Sequence, residues 1–203
     1  MTAPVSYRAL LRDYVARNAN PPHKFGHQPR LYQLAVLIGS GNGFDDDIVY
    51  AAAWLHDLGV FIGHRPEDPG LLRSWDHVAY TTDRAPELLK SMGFPAEKIP
   101  AVLDVLRTHQ PQDDPLTIEG VLVRDADILE QLGAIGILRT ASKLGSDDRF
   151  QLFADAEKSL RRALAELPGK IRLEPTRRLA EPRIAVLTAF LEALSVEAQG
   201  ALG

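Results

Sequence analysis

The 203-residue sequence contains no cysteine, which excludes disulfide bonds and leaves any bound metal ion to His, Asp and Glu. Positive charge is not in excess: 23 Lys and Arg stand against 27 Asp and Glu. A surface built to follow a nucleic-acid backbone is therefore not expected, and no nucleic-acid polymer is the expected partner. Long hydrophobic runs are also missing. Leu31–Ile38 and Val49–Leu55 are too short to cross a bilayer, and the N-terminal stretch carries charge from Arg8 onward with no apolar run of signal-peptide length. The expected location is cytoplasmic, with no membrane partner. Alternating apolar and polar stretches between hairpin turns are scarce, which argues against a sheet.

Apolar residues at helical spacing fill nearly the whole chain. They predict helices at about 5–18, 28–39, 46–62, 75–92, 96–108, 117–130, 133–143, 149–166 and 177–198. Between them stand stop signals such as Asn20-Pro21-Pro22, Gly39-Ser40-Gly41-Asn42-Gly43 and Gly93-Phe94-Pro95. The expectation is an all-α, single-domain helical bundle of about nine helices over 1–203. Its metal-site core would span about 20–140, with C-terminal helices at about 149–199 packed on it. Gly63–Gly70, with two prolines and two glycines, is expected to be irregular and to rim a site.

Within the helical pattern, His56-Asp57 interrupts the apolar run Ala51–Val60. Charge there is costly unless it is paired or bound to metal. On a helix the two side chains leave about 100° apart, so one ion above the space between them can touch both. Imidazole and carboxylate together suit Mn, Fe, Zn or Mg. A second unusual stretch, Val121–Leu132, carries Arg124, Asp125 and Asp127. Asp127 can complete a set with His27, His56 and Asp57 that leaves open positions for water and substrate. Each His taken singly also fits a hydrogen-bonded core or capping residue. His23 and His64 read as solvent-exposed loop residues.

The ordered series His27-Gln28-Pro29-Arg30-Leu31, His56-Asp57 and Asp127 resembles the H…HD…D signature of the HD superfamily of metal-dependent phosphohydrolases. Thr108-His109 followed by Arg124–Leu129 is similar to the "NH…QDADRLD" region of one bacterial subfamily, and Gly133–Arg139 to its "GAIGIAR" run. The tail around Arg178-Leu179-Ala180 and Arg183 resembles that subfamily's last helix. The resemblance covers nearly the whole chain. It implies bundled helices directing His27, His56, Asp57 and Asp127 at a divalent ion, and hydrolysis of phosphate esters or anhydrides, commonly of nucleotides. Two departures stand out: Asp76-His77 replaces small polar residues, and Ile128 replaces an Arg, with Arg124 at a usual Gln position. With His77 and His109 the order becomes H…HD…H…H…D, which resembles two-metal members of the superfamily, including dinuclear phosphodiesterases and diiron oxygenases.

The expected function is thus a metal-dependent phosphohydrolase acting on a phosphate ester or anhydride of a nucleotide or other small phosphorylated metabolite. The cofactor would be a divalent metal (Mn, Fe, Zn, Ni or Mg), one ion or, with His77 and His109, two. Such an ion lowers the pKa of bound water and polarises a phosphoryl oxygen. Asp57 is expected at the reacting centre, with Glu67, Asp68 or Asp76 as general base and Arg65, Arg73 or Arg124 as phosphate contacts. Asp125 is expected to hold a ligand imidazole. Alternatives are a dinuclear iron oxygenase and a non-catalytic nucleotide-binding sensor. Exposed apolar helix faces would allow a homodimer.

Overall fold

The computed structural model describes residues 5–147 and 149–202. Among these residues the chain is all α: ten α-helices and four short 3-10 turns, with a single bridge pairing Ile62 and Arg65 outside any strand. It divides into two compact units, residues 1–124 and 125–203, the division falling inside a helix.

The first unit is organised around α3 (Asp46–Leu55), in which every residue from Ile48 to Leu55 is buried. A helix apolar on all sides has to be wrapped by others. Here α1 (Tyr7–Asn18), α2 (His27–Gly39) and α6 (Ile99–Arg107) do so, and α5 (His77–Ser91) packs on α6. The start of α3 is fixed by charge. Asp45 accepts the amides of Asp47 and Ile48 at 3.0 and 3.4 Å. Arg8 reaches Asp46 and Asp47 at 2.8 and 2.7 Å, and Lys98 reaches Asp45 and Asp47 at 2.8 and 2.7 Å.

Lys98 foremost, then the Tyr7 hydroxyl and Arg8, hold Asp47 well below the usual carboxylate range. Its contribution to stability is therefore complete above the unfolded carboxylate pKa of about 3.9 and is lost as pH falls from there through the folded value. Asp47→Asn is expected to cost about 1–2 kcal/mol at neutral pH, discounted because the carboxylate is partly exposed. Urea midpoints measured from pH 7 to 3 should fall less steeply in the variant; identical acid limbs would rule Asp47 out as their source.

Two sequence expectations are corrected here. The helix expected over 46–62 stops at Leu55: His56 is its C-cap, Asp57 has φ −98° and ψ 12°, and a 3-10 turn follows at Leu58–Val60. Asp57 thus occupies the sparsely allowed bridge region, and no helical 100° relation to His56 applies. The segment expected to be irregular ends in a short helix, α4 (Pro69–Arg73). Proline is favourable at the first helical position, where its missing N–H has no partner to lose, and the Asp68 carboxylate accepts the Leu71 amide at 2.9 Å.

The helix α7 (Ile118–Glu130) begins in the first unit, where Glu119 accepts the Asp45 amide at 2.8 Å. In the second unit α8 (Gly133–Ala141), α9 (Phe153–Glu166) and α10 (Glu174–Ala198) pack on one another. Asp125, fully buried, accepts the amides of Arg172 and Leu173 just ahead of α10, at 3.2 and 2.9 Å. The first glycine of the Gly-Ala-Ile-Gly run is needed twice over. Gly133 has φ +67°, and a Cβ there would lie 3.0 Å from the Arg183 side chain.

Candidate metal centre

Three local features of the first unit aim imidazoles at one place. A 3-10 turn at Pro22–Gly26 feeds α2, and buried Gln28 secures the junction by donating its amide nitrogen to the carbonyls of Lys24 and Phe25 at 2.9 and 3.0 Å. His27 stands at the first position of that helix. At the far end of α3, His56 donates Nδ1–H to the Ala53 carbonyl at 3.0 Å; past the end of α6, His109 donates Nδ1–H to the Leu106 carbonyl at 2.7 Å. A carbonyl only accepts, so Nδ1 carries the proton in both rings, and in the neutral imidazole Nε2 presents its lone pair.

His27 Nε2 lies 3.0 Å from His56 Nε2, and Asp57 Oδ2 lies 3.7 and 3.6 Å from the same two atoms. Ligands bonded to one ion at about 2.1 Å, with angles of about 90–125° between them, stand about 3.0–3.7 Å apart. The first trio therefore has the spacing of a coordination sphere. Asp57 belongs to a second trio as well: it forms one group with His27 and His56 and another with His77 and His109, the ligand atoms within each lying within 4.8 Å of one another. The ring centroids of His56 and His109 are 5.3 Å apart and those of His77 and His109 6.2 Å. Buried nitrogen donors with a shared carboxylate fit a divalent ion of the Mn, Fe or Zn kind. His27, His56 and His109 are buried, whereas Asp57 and His77 are half-buried. The cluster is thus open on the Asp57–His77 side, as a site that admits water and substrate has to be.

The remaining candidates lie as follows. Asp127, in the second unit, accepts from Gln131 at 3.0 Å, and Arg139 stands 3.9 Å from it and 3.7 Å from buried Glu130. Asp68 and Asp76 are exposed helix caps, the latter accepting the Ala79 amide at 2.9 Å, and Glu67 is exposed. Arg73 is exposed and donates to the Pro69 carbonyl, and Arg65 is half-buried. Arg124 is buried and holds the Pro111 carbonyl at 2.7 Å, steadying the loop after His109.

His64 departs from its expected place in solvent. Asn18 donates its amide to the Tyr14 carbonyl, so its oxygen faces His64 Nε2 at 3.1 Å, and Nδ1 accepts from the Tyr80 hydroxyl at 2.9 Å. Burial foremost, then the Arg84 charge, lowers the pKa of this ring.

Sequence reasoning passed over Gln110, whose amide nitrogen lies 3.3 Å from His77 Nε2, and over the contacts around Gly59. Trp75 donates its indole N–H to the Gly59 carbonyl at 2.8 Å, and the Gly59 amide donates to the Thr81 hydroxyl at 3.1 Å. Partners that are backbone groups leave no residue pattern to read.

A family model of the HD domain matches residues 25–132, more than half of the chain. The Bacillus subtilis protein YpgQ is 27% identical over 187 residues, which are 88% of this chain and 85% of that one. The crystal structure of B. subtilis YpgQ in complex with ADP is 25% identical with a TM-score of 0.69, covering 95% of this chain and 98% of that one. An HD-superfamily hydrolase from Bacillus thuringiensis shares the fold at a TM-score of 0.67 and 22% identity, with 95% of each chain covered.

Proposed function

The chain belongs to the HD-domain family, and on that footing we propose that it is a metal-dependent phosphohydrolase of nucleotides or similar small phosphorylated metabolites. The observation that carries this reading is the doubled trio: His27, His56 and Asp57 lie close enough together to hold one divalent ion, and Asp57, His77 and His109 a second. When bound, such ions supply an activated water and polarise a phosphoryl oxygen.

The chain's own residues do the rest. The Ala53 and Leu106 carbonyls fix two imidazoles in the tautomer that presents Nε2. Asp57, shared and partly open to solvent, brings negative charge where the two trios meet and lies on the side from which substrate enters. The ADP complex of YpgQ supports a nucleotide as the substrate class.

Metal analysis of protein purified without chelator should find two equivalents per chain, falling to one in His77→Ala. An anaerobic nucleotide panel should then release phosphate or pyrophosphate. No ion retained after reloading with Mn, Fe, Zn or Ni would sink the reading. The doubled trio also favours a second reading, a dinuclear iron oxygenase, which iron-rich protein and substrate-dependent oxygen uptake without phosphate release would establish in its place.

A further inference from the structure

Gly59 lies two residues beyond Asp57, in the 3-10 turn that α3 runs into, with a negative φ that any residue can adopt. Its lack of a side chain is therefore not needed for backbone freedom. It is needed for close approach: a Cβ at Gly59 would lie 2.7 Å from the His77 carbonyl oxygen and 2.9 Å from its Cα. Both polar groups of the Gly59 backbone are taken by side chains on either side of His77. Trp75 Nε1 donates to the carbonyl at 2.8 Å, and the hydroxyl of Thr81, 1% exposed, receives the amide at 3.1 Å. The turn that carries Asp57 and the helix start that carries His77 are thus pressed together at one point and fastened on both sides of it.

We propose that Gly59, Trp75 and Thr81 form a positioning clamp that sets the separation of His77 from Asp57, and so decides whether the shared carboxylate can serve a second ion. This rests on the two-ion reading above. None of the three residues is a ligand. The clamp acts foremost on the second trio, because the three atoms nearest to an added Cβ at Gly59 all belong to His77, whereas His27 and His56 stand on α2 and at the end of α3. A wedge at position 59 moves the His77 backbone. Loss of either tether loosens it while leaving a buried backbone group short of a partner.

The test is Mn2+ binding by equilibrium dialysis with electron paramagnetic resonance, on the full chain, for wild type, Gly59→Ala, Trp75→Phe, Thr81→Val and Thr81→Ser, with circular dichroism of each metal-free protein. Wild type is expected to bind two ions with an exchange-coupled spectrum. Gly59→Ala should keep the first ion within about threefold and weaken the second by about 10–100-fold, the range known for residues that support metal ligands. Trp75→Phe and Thr81→Val should weaken the second ion by about tenfold, and Thr81→Ser, which keeps the hydroxyl, should restore it. Should Gly59→Ala fail to fold, the Thr81 pair decides alone.

Two coupled ions in every folded variant would overturn the clamp while leaving the two-ion reading intact, as would equal weakening of both ions. Only one ion in wild type would overturn the two-ion reading and the clamp with it.

Discussion

Asp57→Ala is expected to empty both halves of the metal centre at once, whereas His77→Ala or His27→Ala should empty one. The difference follows from position: Asp57 is the residue common to the two trios. Removing it takes from both trios the carboxylate that they share. Metal content should fall from two equivalents to below about 0.2, and hydrolysis by a factor of about 10³ or more, the equivalent of about 4 kcal/mol of charge stabilisation. Because Asp57 is half-buried and its backbone lies in a turn, the fold should survive, and far-ultraviolet circular dichroism should be unchanged. Asp57→Asn keeps the shape and one oxygen donor but not the charge, so it should retain traces of metal at high concentration. If Asp57→Ala kept one full equivalent, the carboxylate would not be shared and the two-ion reading would fail.

Phe61→Ala should be the most damaging change to the stability of the first unit. Its side chain is 1% exposed, and it closes the turn that begins at Asp57. Its carbonyl accepts the amides of His64 and Arg65, both at 3.0 Å, and its ring meets His64 edge-on. Truncation removes the buried ring and leaves a cavity that the surrounding helices can only partly fill, at a cost of about 3–5 kcal/mol. For a cooperative unit of this size, that corresponds to a fall of about 10–20 °C in Tm. Phe61→Leu retains most of the volume and should cost about 1–1.5 kcal/mol. Thermal unfolding of the metal-free proteins measures this directly, since bound metal would add its own stabilisation. A loss below about 1 kcal/mol in Phe61→Ala would mean that the turn is held by its hydrogen bonds rather than by the ring.

Much of this protein is legible in one dimension. The helices over 27–39, 118–130 and 133–141 begin and end within a few residues of where periodicity puts them, because apolar spacing is a property of the chain itself. His56-Asp57 stands out for a related reason: a charged pair inside an apolar run has few inexpensive explanations. What periodicity misplaced is the helix end. Continued apolar residues through Val60 conceal the break at Leu55; beyond it the Val60 and Phe61 amides close a tighter 3-10 turn onto the Asp57 and Leu58 carbonyls, while the Gly59 amide and carbonyl are taken by Thr81 and Trp75. The short helix at Pro69–Arg73 was hidden in the opposite way, its proline reading as a breaker when it serves as a starter.

The residues alone are enough for the all-α class, the lack of cysteine chemistry, the lack of a helix long and apolar enough to cross a membrane among the described residues, and the order in which the histidines and carboxylates occur. That His77 and His109 stand beside Asp57 is a matter of three-dimensional packing. So are the carbonyls one turn back that set the tautomers of His56 and His109, and the glycine two residues past Asp57 that is pressed against the backbone of His77. The reason is physical. Periodicity reports which side of a helix faces inward, but the convergence of residues tens of positions apart depends on how close two backbones can come, and that is settled by packing.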